Sequence, residues 1–253
     1  MLGWSINLFR IRGIQLAVHA SFFLLLAWVA NDGWRSAGAA GLGWSVVTLL
    51  AFFGCVVLHE LGHSLTAIHF GIGVRRILLM PIGGMAEFDS IPRQPARELL
   101  ITLAGPAVNF VIAGLLWFVI RTFGDEVTLY SLDGFIYQIF FANLVMGIFN
   151  LLPAFPMDGG RILRALLAWR MSYLRATRFA ATVGKVICVL GAGVALWSNH
   201  WLLAVLFAFI FFAGEAEYRA VQRREIEDAR WRETLARVYG PTTTVNEPPL
   251  LSR

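Results

Sequence analysis

The sequence has 253 residues, of which 58% are hydrophobic and only 15% are charged, with a mean hydropathy of +0.67 and a net charge of +5. A soluble domain averages about 45–50% apolar and about 25% charged residues, so a soluble core of this length cannot bury the apolar excess. Composition therefore excludes an ordinary soluble protein, and the positive charge fits basic cytoplasmic loops better than nucleic-acid binding.

Six apolar stretches are candidates for transmembrane helices, which need about 20 residues each. They cover Leu16–Ala30, Gly43–Phe70, Leu99–Ile120, Phe135–Leu152, Phe179–Trp197 and Trp201–Ala213. The fold class predicted is an all-α polytopic membrane protein with six transmembrane helices. We expect a membrane-embedded domain over residues 1–213 and a cytoplasmic helical tail with a polar end over residues 214–253.

The segment between predicted helices 2 and 3, residues 71–92, does not fit a simple span. Its short apolar runs, Ile77–Met80 and Met85–Phe88, are separated by Pro81 and Gly83-Gly84. This pattern predicts a small β-hairpin or sheet. Because unpaired backbone cannot face lipid, the hairpin is expected at the membrane interface or inside a protein cavity.

Basic residues are distributed very unevenly between the predicted loops. Of the 21 Lys and Arg residues, 18 lie before the first span, in the loops 71–98 and 159–178, or after residue 213. The alternate loops contain only Arg35 and Arg121. Since cytoplasmic loops are enriched in Lys and Arg, both termini are predicted to be cytoplasmic, which requires an even number of spans.

His59-Glu60-Leu61-Gly62-His63, inside the second span, fits the pattern H-E-x-x-H. On a helix the two histidines share one face and can bind one metal, while the glutamate can act as a general base. A charged group at the bilayer centre costs about 2.5–3.5 kcal/mol, and a bound metal would compensate for this cluster. Polar contacts between helices are the alternative, which fits one histidine better than the complete pattern.

Asp158 is the candidate for a third metal ligand. It lies in segment 150–161, whose prolines and glycines predict a broken helix near the cytoplasmic side. His63 is seven residues before Phe70, so it lies about 10 Å from the cytoplasmic end of its span, at a similar depth. The alternative for Asp158 is a solvated aspartate in a cytoplasmic turn.

Three motifs follow one another along the chain: HELGH, AGPAVN at Ala104–Asn109, and NLLPAFPMDGGR from Asn150. Together they resemble the site-2 protease family of intramembrane metalloproteases, and the six-span pattern resembles the branch of that family without a PDZ domain. The resemblance implies one Zn²⁺ per chain, held by His59, His63 and Asp158. It also implies Glu60 as the catalytic base and Asn150 as a residue that positions substrate or stabilises the oxyanion.

The resemblance further implies a multi-pass protein of a prokaryotic plasma (inner) membrane. Its substrate would be a membrane protein in the lipid bilayer, bound as an extended strand near residues 74–88, and no nucleic acid is expected. Because a transmembrane helix hides its peptide bonds, a substrate must be locally extended before attack. We expect Asn109, after Gly105-Pro106, to support helix packing rather than chemistry.

Two other functions are consistent with part of the pattern. A zinc-handling transporter or channel would explain histidine and aspartate within the membrane, but not the glutamate or the hairpin. An inactive relative that binds membrane helices would lack a ligand or the glutamate, and this sequence contains all of them.

Overall fold

The computed structural model describes residues 4–90, 93–123 and 130–239, which are mainly helical with one four-stranded sheet. The strands are β1 (Ser5–Ile11), β2 (Ile14–His19), β3 (Val74–Met80) and β4 (Gly83–Phe88). The helices are α1 (Ser21–His69), α2 (Pro95–Phe123), α3 (Leu132–Asn150), α4 (Asp158–Ala168), α5 (Tyr173–Trp197) and α6 (Trp201–Tyr239). Two compact units are formed, one from Met1–Ile91 and Leu100–Asn150, the other from Pro92–Leu99 and Leu151–Arg253.

The sheet of the first unit has the strand order β1-β2-β3-β4. β1 and β2 are antiparallel, β2 and β3 are parallel, and β3 and β4 form an antiparallel hairpin. Alternate residues of β2, such as Leu16 and Val18, pack with Ile77 of β3 against Phe53 and Val56 of α1. One face of the sheet is therefore buried against a membrane helix, which fixes its register.

The 49-residue helix α1 folds back on itself. A straight helix of this length would be about 74 Å long, yet both ends of α1 connect to neighbouring strands of one sheet. The reversal occurs at Ala37 and Gly38, whose backbone angles are not helical, and Gly38 has a φ of +59°. This left-handed conformation suits glycine, which has no Cβ. The two arms of α1 then approach closely where Gly33 meets Gly41.

Five of the described helices, α1, α2, α3, α5 and α6, are long and apolar enough to cross a membrane. Many of their large apolar side chains are exposed on the protein surface, as expected where lipid is the solvent. The protein is a multi-pass membrane protein. The structure is thus mainly helical, as expected, but it is not all-α, because the residues of the predicted hairpin form two strands of a four-stranded sheet.

The first predicted span begins too early, because Leu16–His19 belong to β2 and α1 starts only at Ser21. Hydropathy cannot separate a buried strand from the start of a membrane helix. β2 is apolar because it lies between β1 and β3 and packs on α1, so its side chains are buried by protein.

The second unit is built around α5 and α6, with α4 packed on α5. Ala154 and Met157 from the segment before α4 pack with Cys188 of α5 and Ile210 of α6. α6 runs without interruption from Trp201 through the boundary expected near residue 213. The polar end predicted for the tail, residues 240–253, lies outside the described residues.

The close approach of the α1 arms gives a first prediction. A Cβ on Gly33 would lie 2.5 Å from the carbonyl oxygen of Gly41, so Gly33→Val should separate the arms and destabilise the protein by about 1–3 kcal/mol. Gly43→Val is the control, because a Cβ at Gly43 meets nothing within 4 Å. Thermal unfolding in detergent measures the effect, and equal melting temperatures for the two variants would contradict this packing.

Candidate metal centre

His59 and His63 lie one turn apart on the second arm of α1, and both are buried, with 5% and 7% of their surface exposed. Their Nε2 atoms lie 3.1 Å apart, and the rings meet edge to face with centroids separated by 4.7 Å. The helix thus brings together the two imidazoles that the motif predicts on one face.

The outer ring nitrogens of both histidines are bound to hydrogen-bond acceptors. Nδ1 of His63 lies 2.7 Å from the backbone carbonyl oxygen of Ile101, and Nδ1 of His59 lies 2.6 Å from Oδ1 of Asn109. A carbonyl oxygen only accepts, so each Nδ1 carries a hydrogen, and in the neutral form of each ring the lone pair is on Nε2. In that form the two converging lone pairs repel each other, and a cation bound between them removes the repulsion.

Helix α2 packs unusually close to the two histidines because it presents glycine there. A Cβ on Gly105 would overlap Nε2 of His63 and lie 2.8 Å from Cε1 of His59. On the other side of the contact, a Cβ on Gly62 would lie 2.7 Å from the carbonyl oxygen of Ala104. Residues without a Cβ are therefore required on both helices for the rings to occupy this position.

Glu60 is half-buried and lies against the hairpin. A Cβ on Gly84 of β4 would lie 2.5 Å from Cγ of Glu60 and 3.1 Å from Oε1. β4 is an edge strand of the sheet. The glutamate of the motif therefore lies directly beside a strand whose outer edge has no neighbouring strand in the described sheet.

An ion pair connects the two strands of the hairpin. Arg76 of β3 and Glu87 of β4 are opposite each other, and the guanidinium donates a 2.7 Å hydrogen bond to Oε1 of Glu87. This hydrogen bond holds the pKa of the Glu87 carboxyl below its usual range. The carboxylate therefore stays charged to a more acidic pH than an isolated glutamate, which extends the pH range in which the cross-strand pair persists.

The other two predicted site residues lie at the ends of the broken helix. Asn150 is the last residue of α3, in the first unit, and is half-buried. Asp158 is the first residue of α4, in the second unit, and is 8% exposed. The helix break predicted from the prolines is confirmed, since residues 151–157 form turns instead of helix.

The turn before Asp158 depends on the two glycines that follow it. A Cβ on Gly159 would overlap the carbonyl oxygens of Leu151 and Leu152, and one on Gly160 would lie 2.7 Å from the backbone nitrogen of Phe155. The chain therefore folds back over the first turn of α4, and this tight fold holds the Asp158 backbone in place.

Arg164 anchors α4 in the second unit. Its side chain is 1% exposed and donates to Oε1 of Glu98 at 2.5 and 2.8 Å and to Oε1 of Glu217 at 2.8 Å. The guanidinium also lies over the rings of Phe155 and Tyr173, 5.1 and 4.9 Å from their centroids. Because a buried charge that loses its partners is strongly destabilising, this network fixes the helix that begins with Asp158.

The sequence model of one protein family, described as Peptidase family M50, matches residues 47–129 and 119–191 of this chain. These overlapping ranges contain every predicted site residue from His59 to Asp158 and cover more than half of the chain. The chain belongs to peptidase family M50.

Individual relatives agree with membership of the M50 family. A zinc metalloprotease of Methanocaldococcus jannaschii is 40% identical over 221 residues, which are 87% of this chain and 62% of the relative. Stage IV sporulation protein FB of Bacillus subtilis is 30% identical over 214 residues, 82% of this chain and 69% of the relative. This M50 chain thus spans less than two thirds of the length of the first relative.

A solved structure matches as well, the site-2 protease from Methanocaldococcus jannaschii. The TM-score is 0.62 at 38% sequence identity, and the match covers 85% of this chain and 95% of that chain. The resemblance to site-2 proteases inferred from three motifs is confirmed by this match and by the M50 family model.

Two buried amides behind His59, those of Asn109 and Asn143, belong to the surroundings of this M50 centre but are not among the site residues predicted from the motifs. Asn109, expected only to support packing, accepts a hydrogen bond from His59 and donates one to Asn143 at 2.9 Å. Both asparagines are completely buried. A signal was present in the sequence, because Asn143 is a strongly polar residue inside an apolar span, where such residues are rare and often functional.

The contact between Gly105 and the imidazoles predicts a sensitive position. Gly105→Ala should displace both rings and weaken binding of the expected metal by about tenfold or more, as substitutions next to metal ligands do. Gly114→Ala, on the same helix with nothing within 4 Å of the new Cβ, is the control. Metal content after purification and chelator competition measure the effect, and wild-type binding by the Gly105 variant would contradict the geometry.

Proposed function

We propose that this chain is an intramembrane zinc metalloprotease that cleaves membrane-tethered substrates within or next to their transmembrane segments. The observation that carries the proposal is the convergence of the His59 and His63 Nε2 atoms, with Glu60 on the same turn of a membrane-crossing helix. Relatives named zinc metalloprotease and site-2 protease support it. No observation on the described residues favours the zinc-transporter alternative.

The zinc ligands in this proposal are His59, His63 and Asp158, with one Zn²⁺ per chain. Two imidazoles and one carboxylate form a donor set that catalytic zinc sites use, with one coordination position left open. The histidines fit this role because their Nδ1 atoms are occupied by acceptors and their Nε2 lone pairs converge. The burial of Asp158 and its defined position at the start of α4 support the carboxylate as third ligand.

The chemistry that a bound zinc supplies is Lewis acidity, which makes water a stronger acid and polarises the scissile carbonyl. Glu60 acts as the general base and takes a proton from the attacking water, whose oxygen bonds to the carbonyl carbon. When the carbon–nitrogen bond breaks, Glu60 delivers that proton to the leaving amine. Asn150 donates a side-chain hydrogen bond that positions the substrate or stabilises the developing oxyanion.

The substrate is proposed to bind as an extended strand along β4. The position of Gly84 against Glu60 supports this mode, because a strand added at this edge would bring its backbone next to the catalytic base. Main-chain hydrogen bonds along a sheet edge bind extended peptides with little dependence on their side chains. A helical substrate segment would therefore be unwound, and its extended backbone would be held beside Glu60, where hydrolysis takes place.

The proposed topology has six membrane crossings, with the two arms of α1 counted separately, and both termini in the cytoplasm. The segregation of 18 of the 21 basic residues supports this orientation. Relatives from prokaryotic organisms support a plasma (inner) membrane location.

We also propose that residues 1–213 form the embedded protease domain and residues 214–253 a cytoplasmic tail, since α6 becomes rich in Glu and Arg after Gly214.

Replacing the base tests the proposed reaction. Glu60→Gln should retain wild-type zinc content but lower the rate of substrate cleavage by about 10²–10⁴-fold, because the amide cannot accept the water proton. Cleavage of a membrane-tethered reporter in proteoliposomes and zinc content by mass spectrometry provide the two readouts. Robust proteolysis by the purified Glu60→Gln variant would overturn the assignment.

Replacing the proposed third ligand tests the composition of the metal centre. Asp158→Asn should lower zinc affinity by at least about tenfold, because a neutral amide oxygen is a poorer zinc ligand than a carboxylate. Asp32→Asn, which neutralises an exposed aspartate of α1, is the matched control and should bind zinc normally. Equal zinc affinity in the two variants would remove Asp158 from the ligand set.

A further inference from the structure

Three buried groups behind His59 form a chain of hydrogen bonds across helices α1, α2 and α3. Nδ1 of His59 lies 2.6 Å from Oδ1 of Asn109, and Nδ2 of Asn109 donates to Oδ1 of Asn143 at 2.9 Å. Nδ2 of Asn143 then donates to the backbone carbonyl oxygen of Ile139 at 2.8 Å. We call these four residues the amide relay; both of its asparagines have no exposed surface.

The direction of every hydrogen bond in the amide relay follows from its last member. The carbonyl oxygen of Ile139 only accepts, so Asn143 must turn its NH₂ group toward it and its oxygen toward Asn109. Asn109 must then direct its own NH₂ group to Asn143 and its oxygen to His59. The hydrogen of the His59 ring is consequently held on Nδ1, and the lone pair is held on Nε2.

We propose that Asn143 is a positioning residue for the zinc site: it orients the Asn109 amide, which holds His59 in the tautomer that can bind zinc. This inference rests on the proposed function, since it assigns a role to residues behind one proposed ligand. Asn143 acts only through Asn109 and does not touch the histidine. In metal sites, groups that bind the outer nitrogen of a histidine fix its tautomer and orientation.

The two histidines differ in how they are held, and this difference makes Asn143 necessary. Nδ1 of His63 donates to a backbone carbonyl oxygen of α2. The helix fixes the position of this oxygen, which can only accept a hydrogen bond. His59 instead depends on a side-chain amide, whose two ends are similar in shape but opposite in hydrogen-bonding character. Without Asn143, Asn109 is free to present its NH₂ group to His59, which favours the hydrogen on Nε2 and removes the lone pair from the metal.

A double-mutant cycle on the full chain tests this orienting role. In the wild-type background, Asn143→Leu should weaken zinc binding by about tenfold, at the lower end of the 10–100-fold losses typical of such outer partners. Asn109→Asp replaces the amide by a carboxylate, which accepts from His59 whichever way it is turned. In the Asn109→Asp background, Asn143→Leu should therefore cause no further loss of zinc affinity, since the Asn143 oxygen that faces position 109 cannot orient a carboxylate.

The measurements are the zinc dissociation constant from chelator competition and the visible absorption spectrum of the Co²⁺-substituted protein, which reports ligand geometry. Thermal unfolding of each metal-free variant is recorded alongside, and the cycle is repeated with Asn143→Ala in case leucine is not accommodated. Thr177→Val removes a completely buried hydroxyl in the second unit and should leave zinc affinity unchanged.

The outcomes separate this inference from the proposed function. A loss of zinc affinity that disappears in the Asn109→Asp background supports the orienting role of Asn143. Equal losses in both backgrounds show that Asn143 contributes only to packing and overturn the inference, while the zinc site of the wild-type chain stands. A wild-type chain that binds no zinc overturns the proposed zinc site itself and the inference with it.

Discussion

The pair of imidazoles buried within an apolar helix is the constraint on which the rest of this structure depends. Polar groups in such surroundings are costly unless each donor and acceptor is satisfied. The structure satisfies the outer nitrogens with a backbone carbonyl of α2 and with the Asn109 amide, and it directs the inner lone pairs toward each other. The outer hydrogen bonds lower the cost of burying the two histidines, and the converging inner lone pairs suit them to bind a cation.

Close helix contacts are the second requirement of this arrangement. Lipid chains are as apolar as the helix surfaces, so association depends mainly on van der Waals packing and hydrogen bonds between helices. Gly62 and Gly105 let α1 and α2 approach until the α2 backbone lies against the imidazoles, and Gly84 lets β4 lie against Glu60. The same small residues that allow the close packing of the membrane fold therefore also determine where the side chains of the candidate metal centre lie.

Much of this organisation could be predicted from the sequence, because the strongest signals are local. The H-E-x-x-H spacing predicts two histidines on one helix face, and the prolines before Asp158 predict the helix break. Hydropathy wrongly predicted a membrane span at Leu16–His19, because a strand buried between neighbouring strands is as apolar as a helix that faces lipid. The pairing of β2 with β3 and the contact between His59 and Asn109 join residues far apart in the chain, and no local pattern encodes such partners.

The parallel pairing of β2 with β3 also imposes an order on biosynthesis. β2 ends at His19 and β3 begins only at Val74, with both arms of α1 between them. The pairing of β1 with β2 joins residues close in the chain and can form early, whereas β2 can pair with β3 only after both arms of α1 have been synthesised. The β3–β4 hairpin then completes the sheet and places Gly84 beside Glu60, before α2 is synthesised. The surroundings of His59 and His63 are therefore completed only after both arms of α1 and the sheet have been synthesised, because the residues of α2 that pack on the two rings follow β4 in the chain.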